Sequence, residues 1–203
     1  MARFGAQDHY TGRMYERDYL GAVEPTPAYQ QRLTELAHGR TADKDGGPLI
    51  SYNDALRLAR EFQPGDPTNP QKELTRELRL AVIDALNVPE TALDCVRAYT
   101  AVGTRGDVLH GIDAFIDFQD PASGKTHTVV IDLTQNPSKA GENDIAEVRT
   151  SARERDVASI IVGALPAPDD ARFLDLVGEV GTVVAEQLRL LQQYAAPQGR
   201  RAA

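Results

Sequence analysis

A chain of 203 residues can build one sizeable core, or a core with an appendage, and does not demand two full domains. Its net charge of −8 excludes a surface that wraps nucleic acid on all sides, since phosphate binding rests on lysine and arginine, but it is compatible with a local groove shaped by metal ions and a few arginines. The single cysteine, Cys95, excludes an internal disulfide; no apolar run reaches the ~20 residues of a bilayer span, and the opening residues lack the apolar stretch of a secretory signal, so a cytoplasmic protein with no membrane partner is expected.

Residues 1–25 are polar and aperiodic and read as an extended arm or a disordered lead, in which Tyr10, Tyr15 and Tyr19 stack on bases, dock onto another subunit or anchor the arm to its own domain. Thr26-Pro27 predicts a helix start, with threonine capping and proline in the first turn. A second helix is predicted after Ser51, which with Asp54 resembles a capping box. The prolines of Gln63-Pro-Gly-Asp-Pro-Thr-Asn-Pro70 break the chain, and a domain edge is placed there. The division expected is an N-terminal arm and helical extension over 1–70, an α/β core over 71–196, and a flexible basic tail over 197–203.

Beyond the break the spacing of Leu74, Leu78, Ala81, Val82 and Ala85 predicts an amphipathic helix over 71–86, with Glu73 and Glu77 one turn apart beside its apolar face. A strand over 97–102 and a turn at Thr104-Arg-Gly-Asp107 follow. In the next strand, 110–118, the period of two places Ile112, Ala114, Ile116 and Phe118 on one face and Asp113, Phe115 and Asp117 on the other. Asp120-Pro-Ala-Ser-Gly124 closes a hairpin into a strand over 127–133, with Val129, Ile131 and Leu133 opposed to Val130, Asp132 and Thr134. A polar helix is expected over 142–156, a strand covered on both faces over 158–165, and a long amphipathic helix over 171–194. This order describes an α/β layer, an antiparallel hairpin core with helices packed on the sheet.

The chemistry-bearing residues are two aspartates on the strands of that hairpin. Adjacent strands lie about 4.8 Å apart, so Asp113 and Asp132 can converge on one cation. A buried, unpaired carboxylate costs several kcal/mol, and a cation offsets that cost. Mg²⁺ (or Mn²⁺) takes oxygen ligands octahedrally and keeps several waters, so two carboxylates with the Leu133 carbonyl suffice, and Glu77 or Glu73 completes the shell. An aspartate at a strand end also serves as a turn former or an arginine partner, the reading taken for Asp117. His9, His38, His110 and His127 have no zinc-ligand spacing, and no nucleophile elbow, phosphate-binding loop or dinucleotide fingerprint occurs.

His110-Gly-Ile-Asp113 followed by Val129-Val-Ile-Asp132-Leu-Thr134 resembles the PD-(D/E)XK nucleases, most closely the branch typified by the RecB nuclease domain, over roughly residues 71–165. The resemblance implies a restriction-endonuclease-like αβββαβ core with a mixed central sheet flanked by helices, here with an N-terminal helical extension and a long C-terminal helix. It implies DNA as substrate, Asp113 as the first motif acid and Asp132 as the second. Thr134 stands where the family has lysine, the group expected to position the attacking water and stabilise developing charge. Either Lys139 reaches back to the site while Gln135 or Asn136 orients water, or cleavage has been lost. The two functional readings are therefore a Mg²⁺-dependent deoxyribonuclease, and a catalytically inactive domain of the same fold that contacts a second copy or a protein partner through the N-terminal arm and C-terminal helix.

Overall fold

The computed structural model describes residues 12–37, 47–134, 145–148, 157–163 and 165–195. Where an extended arm was expected, α1 (Gly12–Leu20) is a helix. Tyr15 and Tyr19 lie one turn apart on it with ring centroids 4.7 Å apart, and their hydroxyls engage the backbone of Leu165 and Pro166. Burial of Tyr15 and Leu20 against the distant chain, rather than local periodicity, makes this segment helical.

α2 (Pro27–Ala37) starts where the sequence predicts, the Thr26 hydroxyl accepting the Tyr29 N–H at 3.2 Å. α3 (Tyr52–Glu61) starts at a capping box: Ser51 accepts the Asp54 N–H at 3.1 Å and donates to the Asp54 carboxylate at 2.6 Å. The proline-rich break runs along the outer edge of the first strand. There Pro67 accepts the Ala98 N–H and Gln63 accepts the Thr100 N–H, both at 2.9 Å, so an otherwise open edge is covered. α4 (Glu73–Leu86) buries Leu74, Leu78 and Val82 and stops at Asn87, whose φ of 55° lies in the left-handed region. Arg79, buried on α4, donates to the carbonyls of Leu93 and Val96 and ties the connecting turn back to the helix.

The strands are β1 (Val96–Thr100), β2 (Ala114–Gln119), β3 (Thr126–Leu133), β4 (Ile145–Val148) and β5 (Val157–Val162), in the order β1-β2-β3-β5-β4. β1, β2 and β3 pair antiparallel, β5 is parallel to β3, and β4 is antiparallel to β5. Two expectations are corrected. Thr104 begins a short helix, α5 (Arg105–His110), rather than a turn, accepting the Gly106 N–H at 3.1 Å and the Asp107 N–H at 3.4 Å. Because β2 therefore starts at Ala114, Ile112 joins the opposite apolar cluster from Ala114 and Ile116. Within the span expected as a helix over 142–156, residues 145–148 form β4, since pairing with the edge of β5 outweighs the weak helical preference of a four-residue piece; the rest of that span lies outside the described residues.

The sheet is the middle of three layers, an α/β architecture with a mixed open sheet flanked by helices. Ala98, Ile116, Val129, Ile131 and Ile160 pack against α1, α4 and the final helix α6 (Arg172–Ala195). Tyr99, Phe115 and Val130 pack on the other face against α2 and α3. Both apolar clusters draw residues from either side of Pro70. α6 meets α4 at Gly181, where an added Cβ would lie 2.5 Å from the Ala81 Cβ; at Gly178 it would meet nothing within 4 Å, so of the two glycines only Gly181 permits close helix packing. No helix among the described residues is long and apolar enough to cross a membrane.

Candidate metal centre

α5 is capped at both ends, by Thr104 and by Gly111, whose φ of 62° lets its N–H turn back onto Asp107 and Gly106. The chain leaving Gly111 buries Ile112 and delivers Asp113 to the mouth of the β2–β3 hairpin. Its N–H donates to Ile131 at 3.2 Å, and its carboxylate accepts the Leu133 N–H at 2.7 Å. The register ends at Ala114↔Ile131, and beyond it the Asp113 N–H bonds to Ile131, so Asp113 and Asp132 lie at the same end of the hairpin without forming a registered pair. Asp132 is half-buried, with Oδ2 3.9 Å from where a Cβ on Gly111 would stand.

Two acids that the sequence does not single out converge with Asp113, whereas Asp132, the expected second ligand, is not part of that convergent group. Glu16 comes from α1 and Asp107 from the first turn of α5; one carboxylate oxygen each from Glu16, Asp107 and Asp113 lie within 4.8 Å of one another. Adjacent oxygens of an octahedral Mg²⁺ shell are about 3 Å apart, so the three arms must close by up to about 2 Å to share one ion. Asp107 also accepts the Gly103 N–H at 2.9 Å, which fixes its direction. Thr104-x-x-Asp107 is a capping-box spacing and could have revealed α5. Glu16 had no comparable local signal, because its position depends on how α1 docks.

The electrostatics are one-sided. Asp113 is 4% exposed and its carboxyl is pushed up to about 8, first by burial and then by the negative charge of Glu16, with smaller contributions from Asp132 and Asp107; the Leu133 N–H opposes the shift. No cationic side chain contributes to it. A buried carboxyl with three acidic neighbours is stabilised by taking a proton or by a divalent cation.

Glu77 is not brought into this cluster; it accepts a bond from Arg76 at 3.0 Å, on α4. At Leu133 it is the N–H that reaches Asp113. Thr134 is buried and donates its N–H to Val162 at 2.8 Å, so no charged side chain occupies the second position after Asp132. Gln135 and Lys139 lie outside the described residues. His110 is at the end of α5, its ring 3.2 Å from the Ile50 carbonyl and edge-on to Tyr52. Asp117 is the arginine partner expected, bridged by Arg60. The chain matches no family model, no curated protein and no solved structure.

Proposed function

We propose that the protein is a divalent-cation-dependent phosphodiesterase that hydrolyses DNA. The observation that carries this reading is the buried Asp113 just before β2, on which one carboxylate oxygen each of Glu16 and Asp107 converges, with Asp132 at the same end of the hairpin. Three antiparallel strands after a helix, with a further strand parallel to the third, support the same reading; the second helix of an αβββαβ core is not among the described residues, where β4 stands between those strands in sequence.

Asp113, Asp132, Asp107 and Glu16 are the residues that would hold Mg²⁺ or Mn²⁺. When bound, such an ion polarises the phosphoryl oxygen and makes water a better nucleophile at neutral pH. The chain's own work is positioning: the Leu133 N–H and the capped α5 hold Asp113 and Asp107 in fixed directions, so the acids need little rearrangement on binding. Gln135 is proposed to orient water, and Lys139 to approach the phosphate.

Thr134 favours a second reading, an inactive domain that binds an ion or partner without cleaving, because threonine brings no charge to the second position after Asp132. Cleavage of labelled single- and double-stranded DNA and RNA in Mg²⁺ or Mn²⁺ separates the two. Hydrolysis of DNA that falls by at least about 100-fold in Asp113→Asn and in Asp132→Asn supports the first, the scale being that of one lost electrostatic stabiliser. No hydrolysis with either metal by a folded protein overturns it in favour of the second.

A further inference from the structure

On the sheet face that carries α3, a cleft of about 480 Å³ opens between that helix and strands β1 to β3. It is centred on Asp117, four residues along β2 from Asp113 and so roughly 13 Å away, with the fully buried Phe115 between. It is a different site from the acidic cluster, and nothing below depends on cation binding there.

Among the described residues three guanidinium groups line it, from Arg57, Arg60 and Arg97, against one carboxylate, Asp117, a surplus of two positive charges in a chain whose net charge is −8. Their roles differ. Arg60 is fixed: it forms a fork on Asp117 with bonds of 2.7 and 2.8 Å, donates to Thr128 at 2.9 Å, and lies 5.1 Å over the Phe115 ring. Arg57 and Arg97 make no salt bridge among the described residues, and Arg97 is steadied by a hydrogen bond with Tyr99. Two cationic forks thus flank a neutralised, rigid floor.

We infer that this cleft binds a phosphate monoester, a dianion carried on a body of about nucleoside size. The charge matches, because the dianion neutralises the surplus left by Arg57 and Arg97. The donors match, because guanidinium forks pair bidentately with phosphate oxygens. The volume falls within the roughly 300–1,000 Å³ of small-molecule sites, and Leu56 and Val157 offer apolar contact for the body.

Calorimetric titration of the whole chain, in low salt without divalent cations, tests this with adenosine monophosphate, adenosine, inorganic phosphate and citrate. Expected are saturable binding of adenosine monophosphate, none of adenosine, and a rise in Kd of about tenfold or more in each of Arg57→Gln and Arg97→Gln, the scale of a lost charge-assisted bond. Both residues lie outside the Arg60–Asp117 pair, and circular dichroism verifies that the variants fold. Asp113→Asn is expected to bind as the parent does. No binding of adenosine monophosphate, affinity unchanged in both arginine variants, or citrate bound as tightly as the phosphate compounds would each overturn the inference.

Discussion

Arg60→Met is expected to destabilise the protein by about 2–3 kcal/mol, the cost of leaving a buried carboxylate short of its partners, below that of a fully buried pair because the Arg60 side chain is 32% exposed. Asp117 is 4% exposed on β2, and its carboxylate receives two guanidinium bonds and the Thr128 hydroxyl at 2.7 Å. Burial disfavours the Arg60 charge, but the hydrogen bonds and charge of Asp117 more than offset this and hold the guanidinium above its ordinary value. Methionine keeps an unbranched apolar side chain and removes the guanidinium, with its bonds to Asp117 and its place over the Phe115 ring, leaving a carboxylate with one hydroxyl. For a chain of this length the melting temperature is expected to fall by on the order of 10 °C. Adding Asp117→Leu to Arg60→Met is expected to restore most of the loss, since the penalty comes from the stranded charge and not from the missing bond. Paired denaturant titrations measure this; a single variant within about 1 kcal/mol of the parent, or a double variant weaker than the single, contradicts it.

Asp113→Asn is expected to stabilise the cation-free protein at pH 8 and to leave it unchanged near pH 4. The Asp113 carboxyl is raised to about 8 when folded, against about 3.9 in an unfolded chain. Between those values the folded state holds a proton that the unfolded state has lost. The stabilisation from the neutral carboxyl is therefore complete below about pH 4 and is lost as pH rises through about 8, at up to about 1.4 kcal/mol per pH unit. The groups facing Asp113 all press in the same direction: Glu16 from α1, Asp107 from α5 and Asp132 from β3. Asparagine stays uncharged throughout and still accepts the Leu133 N–H. Stability measured against pH for both proteins, with chelator present, should show curves that meet in acid and diverge by several kcal/mol at pH 8. A difference that does not vary with pH contradicts the assignment.

The hairpin that brings Asp113 and Asp132 to the same end of the sheet was legible because it follows from two local rules, side-chain alternation and the turn residues at 120–124. Asp117 was legible for the same reason, but its partner was not: Arg60 reaches it from a helix 57 residues earlier in the chain, and no spacing encodes that approach. Glu16 was hidden because α1 is held by Tyr15 and Tyr19 at Leu165 and Pro166, contacts spanning about 150 residues. Local propensity misled at Ile145–Val148, where an available strand edge decided the conformation. It was correct at Ser51 and Thr26, where the capping groups lie within three residues of the atoms they bond.

The central claim is that the acids around Asp113 form a cation site, and a calorimetric titration of the chain with Mn²⁺ at pH 8 tests it most directly. The account predicts saturable binding near one ion per chain, accompanied by release of protons from the carboxyl group, and its loss in both Asp113→Asn and Asp107→Asn. A chain that binds no Mn²⁺ under these conditions, or binds it equally well without those two carboxylates, contradicts it.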